Sequence, residues 1–387
     1  MTDKAVSDLN FKPTTGMASE ARKGLEWRKE FKRRNRKYPT GELIKKIIDD
    51  ASGAVAIRLC AIGVDLGIFE NLAHNGPATS EELSSRMKLD ERYIREWALG
   101  LFSSGYLDFN KKDRKISLNP EYVPVLVEEG GKFSQKGIIQ LLNSTLLPYH
   151  DLLDAFKNGG GINYDKIDQG FWDGIDQTGC TRYRHFLVKD WIDEMPELKS
   201  RLEQGSVTFA DFGCGSGRST IELAKKFPKS QFFGFDLFEP NIVKSQRTAE
   251  EAGVSKNLKF IQWDVSNKLK EKFDFVACFD LVHDMIDPLE GMKTIRSAVK
   301  DDGIFVLMDI KCEDDPADNK GPMVPFLYAM SLHFCMTTSL ANNGAGLGTV
   351  GLPEGKVKEY CKEVGFKTVK RIEIDHPLNA VYEIRPN

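Results

Sequence analysis

The residues able to do chemistry in this 387-residue chain lie at the ends of short apolar runs in its second half. Residues 207–217, VTFADFGCGSG, pass from an apolar, aromatic run to Asp211 and then break at Gly213, Gly215 and Gly217. This pattern predicts a buried strand that turns sharply into a helix near Arg218, with glycines that let a ligand approach the backbone and free N–H groups aimed at it. About twenty residues on, QFFGFD ends in Asp236, with Leu237 beside it; an acid there can accept hydrogen bonds from two ribose hydroxyls. The loop is D-x-G-x-G-x-G rather than the G-x-G-x-x-G that accommodates a pyrophosphate, so a dinucleotide is not the expected ligand. LKFIQWDV closes on Asp264 and Val265, and FDFVACFD closes on Phe279 and Asp280. His283 and Asp284 follow at once. An imidazole of pKa near 6.5 is suited to take a proton from a hydroxyl that, with a pKa of about 10 for a phenol, does not ionise unaided at neutral pH.

These residues need a scaffold, and the alternation around them supplies one. Strands near 207–213, 231–236 and 258–262 are separated by helices near 218–227 and 240–252, the signature of a parallel, doubly wound α/β sheet whose ligands bind at the carboxyl ends of the strands. GIFVLMDIKCEDD reads as a fifth strand, and a helix with two closing strands ends the chain. Between them, PMVPFLYAMSLHFCMTTSLANNGAGLGTVG is an apolar helical insertion that can lid the site, with His333 among the residues placed to face a ligand.

The motifs together resemble those of class I S-adenosylmethionine (SAM) methyltransferases. The resemblance implies a Rossmann-like, seven-stranded methyltransferase sheet and SAM as cofactor. The loop at Asp211, Gly213, Gly215 and Gly217 would hold the amino-acid end of SAM, Asp236 and Leu237 the ribose, Asp264 and Val265 the adenine, and Phe279 and Asp280 the cofactor side of the cleft. His283 and Asp284 match the His-Asp pair of plant-type O-methyltransferases, in which the His is the general base; Met285 departs from the Trp usual after that pair.

Upstream, residues 43–126 read as two apolar helices, helices near 80–87 (Ser80 as N-cap) and 90–104, and two short strands around a polar turn, a winged helix. Its recognition helix offers only Arg92 and Arg95 as cations beside Asp90, Glu91 and Glu96, a poor footprint for phosphates. Small-molecule O-methyltransferases carry a similar module for dimerisation, so a homodimer without a nucleic-acid partner is expected. A helical linker, 127–200, joins this module (41–126) to the SAM-binding domain (201–387). Its aromatic residues, with Arg182, Tyr183, Arg184 and His185, suit an apolar acceptor pocket with an anion anchor. The irregular part of the linker is expected from Gly159 to about Thr181.

Composition bounds the rest. The net charge of −3 and 41% hydrophobic content fit a globular chain with no general attraction to nucleic acid or membranes, and no membrane span is expected. Seven cysteines without a C-x-x-C pair argue against a disulfide framework or structural zinc, so no metal ligand is assigned and a cytoplasmic setting is expected. The first forty residues hold eleven Lys or Arg against five Asp or Glu, a basic arm; organelle targeting is weakened by Asp3, Asp8 and Glu20. The expected activity is methyl transfer to a hydroxyl of a small molecule. Alternatives are S-methylation of a thioether acid such as 4-methylthio-2-hydroxybutyrate, as in the related enzymes of the dimethylsulfoniopropionate pathway, a SAM-responsive winged-helix regulator, and a degenerate dimeric scaffold.

Overall fold

The computed structural model describes residues 40–387, so the basic arm lies almost wholly outside the described residues. Helix α1 (Thr40–Asp65) is followed by α2 (Ile68–Asn75), α3 (Ser80–Met87) and α4 (Glu91–Ser103). Strands β1 (Asp108–Asn110) and β2 (Lys115–Ser117) pair antiparallel as the wing. Residues 56–387 form one compact unit, and α1 up to Val55 counts as a separate one. Gly63 permits the close approach of α2 and α4, since a Cβ there would meet Phe69 at 2.6 Å and Trp97 at 2.7 Å. The N-cap of α3 is Thr79 rather than Ser80. Thr79 and Glu82 form a reciprocal capping box, whereas the Ser80 hydroxyl donates to Glu91. On α4, Arg92 pairs with Glu96 and Arg95 with Glu91, so both cations of that helix are neutralised within it.

Helices α5 (Lys136–Thr145), α6 (Tyr149–Asn158) and α7 (Gln169–Arg182) build the linker. The stretch expected to be irregular is therefore helical from Gln169. Asp168 caps α7 by accepting from the Gly170 N–H, and the glycines of α7 serve packing rather than breakage. A Cβ on Gly174 would lie 2.8 Å from Leu141 and 2.9 Å from the Gly137 carbonyl, so α5 and α7 cross almost backbone to backbone. The chain continues through a π-helical segment, Tyr183–Trp191, into α8 (Pro196–Gln204). Tyr183, Leu187, Trp191, Met195, Leu198 and Leu202 pack into the same core as Phe209 and Phe275 of the sheet, so this part of the linker belongs to the sheet domain.

The large sheet has the order β5-β4-β3-β6-β7-β9-β8. Strands β3 (Thr208–Phe212), β4 (Gln231–Asp236), β5 (Leu258–Gln262), β6 (Phe273–Phe279) and β7 (Val299–Ile310) are parallel. Helices α9 (Arg218–Lys226), α10 (Glu239–Glu251) and α11 (Pro288–Ala298) connect them. The insertion comprises α12 (Val324–Met330), a π-helical turn Ser331–Cys335 and a further helix Met336–Ala341, before α13 (Glu354–Glu363). Strand β9 (Asn379–Arg385) pairs antiparallel with β7, and β8 (Thr368–Ile372) pairs antiparallel with β9 at the sheet edge. Every residue of β6 is buried, as expected for a strand covered on both faces. The 18-residue run Val324–Ala341 reaches the length and hydropathy of a short membrane span, but its Leu327, Met330, Phe334 and Cys335 are buried inside the protein.

Candidate functional site

The order β4-β3-β6 puts the topological switch beside β3, and there the chain assembles its acids. Gly213 and Cys214 donate their N–H groups to the Phe235 carbonyl at 2.8 and 2.9 Å, which folds the loop onto β4. Gly213 and Gly217 have φ of 72° and 76°, and a Cβ on them would strike Leu281 at 2.7 Å and Phe260 at 2.3 Å, so no other residue fits. Gly215 also has positive φ, and nothing lies within 4 Å of where its Cβ would be. Asp211 is fully buried: one oxygen accepts from Ser219 (2.5 Å) and Thr220 (2.8 Å) in the first turn of α9, while Oδ1 has no partner. Burial pushes its carboxyl up to about 7.

Asp236, at the end of β4, accepts from Gly215 N (2.8 Å), Phe238 N (2.9 Å) and Asn241 Nδ2 (3.3 Å); burial raises its carboxyl. It therefore braces the glycine loop as well as presenting an acid at the strand end. Leu237 is exposed, and its carbonyl accepts from Gln262 Nε2 at 3.2 Å. Asp264 caps a turn by accepting from Ser266 N at 2.8 Å, Val265 packs on the core below, and Trp263 lies 5.0 Å from Phe212. Phe279 ends β6 and packs on Tyr183, 5.6 Å between ring centres. Asp280 takes a left-handed backbone, φ 54°, which Asp tolerates better than most side chains.

His283 sits in a short 3₁₀ turn, Val282–Asp284, just beyond β6 and is almost fully buried. Its Nδ1 is 2.6 Å from Asp309 Oδ1, near the end of β7, which assigns a proton to Nδ1, so that Nε2 carries a free lone pair when the ring is neutral. Nε2 lies 3.2 Å from Asp284 Oδ1, which itself has no hydrogen-bond partner. Burial lowers the imidazole pKa, but the carboxylates of Asp309 and Asp284 outweigh it and hold the ring well above its ordinary value. Asp284 is raised, chiefly by burial. Asp309 is a carboxylate that motif reading did not single out; its one sequence signal is an acid directly after the apolar run Ile304–Met308.

Arg182 is not a free anion anchor. Its guanidinium donates to Asp280 (2.6 Å), Asn379 Oδ1 (3.2 Å) and the Tyr183 hydroxyl (3.2 Å), so its charge is consumed within the protein. Tyr183 is a core residue, 8% exposed. Arg184 and His185 turn to the Gly130 carbonyl, at 3.5 and 2.9 Å, and His333 Nδ1 donates to Ala329 O at 2.8 Å in its own helix. What the linker does bring together is aromatic surface. Tyr164 packs on Trp172 (4.9 Å) and Phe334 (5.4 Å), and Trp172 stacks on Phe238 (5.9 Å). Tyr164 is itself 44% exposed.

Asp176 of α7 was also missed. It accepts from Ser216 Oγ in the glycine loop, from Arg218 through Nε (2.7 Å) and Nη2 (2.8 Å), and from Lys244 of α10 (2.8 Å). Burial disfavours its charge, but these donors outweigh burial and hold the carboxyl low. Helix α7 is thereby clamped to the glycine loop and to α10.

Residues 203–337 match the family described as Methyltransferase domain, and residues 53–127 match the Rv2258c-like winged HTH domain. The ubiquinone biosynthesis O-methyltransferase of Actinobacillus pleuropneumoniae serotype 7 is 24% identical over 152 residues, covering 38% of this chain and 62% of the relative, so the chain spans less than two thirds of that protein. Among solved structures, the mitomycin 7-O-methyltransferase MmcR superposes with a TM-score of 0.65 at 15% identity, over 89% of this chain and 98% of the other. Human N-acetylserotonin methyltransferase, in complex with SAM, gives a TM-score of 0.65 at 14% identity, over 89% and 97%. The chain thus joins a winged helix-turn-helix module to a methyltransferase domain, in a fold shared with enzymes of that architecture.

Proposed function

We propose that this chain, a methyltransferase domain carrying a winged helix-turn-helix module, is a SAM-dependent methyltransferase acting on a hydroxyl of a small-molecule acceptor. The residues fit the cofactor. Asp236 retains acceptor capacity at the end of β4, the glycine loop has the positive φ that close approach requires, and the orphaned Asp211 Oδ1 is a buried acceptor waiting for a donor such as an ammonium group. When bound, SAM supplies an electrophilic methyl group on a sulfonium.

The observation that carries the hydroxyl reading is the buried Asp309–His283 contact at 2.6 Å. It orients Nε2 as a proton acceptor once the ring is neutral. The acceptor's proton passes to Nε2 as its oxygen takes the methyl group, and Asp309 stabilises the imidazolium that forms. The thioether alternative needs a cation for the substrate carboxylate; of the two candidates, Arg182 is already paired with Asp280, and Arg184 is turned to the Gly130 carbonyl. Incubation with methyl-labelled SAM and a panel of phenols, other alcohols and 4-methylthio-2-hydroxybutyrate tests the reading. Label is expected on oxygen; label on the sulfur of the thioether acid would overturn it.

In this reading the N-terminal module joins two copies rather than binding DNA. Its α4 cations are internally paired, and Leu43, Ile44, Ile47 and Ile48 of α1 are each more than half exposed, an apolar stripe that water does not favour. Light scattering should give a dimer with an interface above about 2,000 Å². A monomer at micromolar concentration would count decisively against it. All seven cysteines are free, as a reducing compartment such as the cytoplasm allows.

A further inference from the structure

We propose that His283, Asp284 and Cys335 form a binding site for a zinc-class divalent cation, and that the bound ion, by taking Nε2, holds methyl transfer off. The metal site stands whatever the reaction, whereas the effect of the ion on turnover rests on the methyl-transfer reading above. The three side chains come from two elements, the turn after β6 and the π-helical turn of the insertion. One ligand atom from each, an imidazole nitrogen, a carboxylate oxygen and a thiol sulfur, falls within 4.8 Å of the other two. His283 Nε2 and Asp284 Oδ1 stand 3.2 Å apart, close to the roughly 3.3 Å edge that Zn–N and Zn–O bonds of about 2.0–2.1 Å make at a tetrahedral angle.

Three further features point the same way. Part-buried Asp284 faces the His283 ring, 3.2 Å from its Oδ1, and the Cys335 thiol, the two groups that would share an ion with it. The far nitrogen of His283 is held by Asp309, the carboxylate–histidine arrangement that orients and strengthens a ligating imidazole. Thr349 Oγ1 donates to Cys335 Sγ at 2.9 Å and fixes the thiol's direction. Binding releases two protons to solvent, one from the His283 imidazolium and one from the Cys335 thiol, which burial pushes up to about 12; the resulting neutral imidazole, carboxylate and thiolate balance the charge of a divalent ion. The mixture of nitrogen and sulfur selects zinc or cobalt over magnesium or calcium. Three protein ligands leave one position open.

Titration of the full-length protein with Co²⁺, without SAM or acceptor, tests the site. One equivalent should give tetrahedral visible bands and a thiolate-to-cobalt charge-transfer band, which Zn²⁺ then displaces. Cys335→Ser should lose the charge-transfer band, and His283→Gln should weaken binding at least tenfold, with S-adenosylhomocysteine affinity serving to check that each variant is folded. In turnover assays Zn²⁺ should inhibit the wild type reversibly, with activity restored by a chelator. An octahedral cobalt spectrum, or a charge-transfer band that survives in Cys335→Ser, would overturn the site. Zinc binding without any inhibition of methyl transfer would overturn the regulatory half. Tetrahedral cobalt in a protein that methylates no acceptor would leave the site standing and sink the methyltransferase reading instead.

Discussion

Replacing His283 with Gln should lower kcat by about 10²–10⁴ while leaving SAM affinity unchanged, because the variant loses a positioned base but no part of the glycine loop. The wild-type pH profile, measured with a chelator present, should carry the signature of that base. Only the neutral imidazole can accept a proton, and the Asp309 and Asp284 carboxylates hold its pKa above the ordinary value near 6.5. Activity should therefore rise with pH and reach half its plateau on the alkaline side of that value. Asp309→Asn removes one of the two carboxylates that stabilise the imidazolium, so its midpoint should move to lower pH. The plateau should fall as well, since the ring loses the contact that orients it. Turnover at the wild-type level in His283→Gln across about pH 6 to 9 would reject the base and move the weight to an acceptor with no proton to lose.

Asp236→Ala should weaken SAM binding by roughly 10²–10⁴, the equivalent of two charge-assisted hydrogen bonds at about 1.5–3 kcal/mol each. The structure adds a second reason for a large effect. The same carboxylate accepts from Gly215 N and Phe238 N, so its removal frees the loop that holds the other end of the ligand. Asp236→Asn keeps the volume and one acceptor oxygen and should fall between the wild type and the alanine variant. Calorimetry returning wild-type SAM affinity for the alanine variant, with a wild-type melting temperature, would remove the basis of the cofactor assignment.

Much of the sheet and half of the site were legible without coordinates. Strands β3 to β6, the loop at Gly213–Gly217 and the acids at 211, 236, 264 and 280 rest on short-range rules. These are the alternation of apolar runs, the φ that only glycine adopts freely, and the position of polar residues at strand ends. The wing, Asp108–Asn110 with Lys115–Ser117, was legible for the same reason. Helix α7 was not. Gly170, Gly174 and Gly179 carry the same local signal whether they break a helix or let it press against another, and only the neighbouring α5 distinguishes the two.

What the tertiary structure alone decided is which charges meet. Arg182 looks like a free cation in the sequence because its partners, Asp280 and Asn379, are 98 and 197 residues away. His283 and Asp284 announce themselves as neighbours, but the carboxylate that orients the ring is Asp309, and the thiol beside them is Cys335 on an insertion. Asp176 reaches Ser216 across 40 residues. A side chain's charge state and chemical use depend on what burial and folding place within about 4 Å of it, and spacing along the chain carries no record of that contact. Local preferences therefore determined where the backbone turns and where glycines open it to close approach. The pairing of buried charges, which separates a base from a bystander, was decided only when the strands came together.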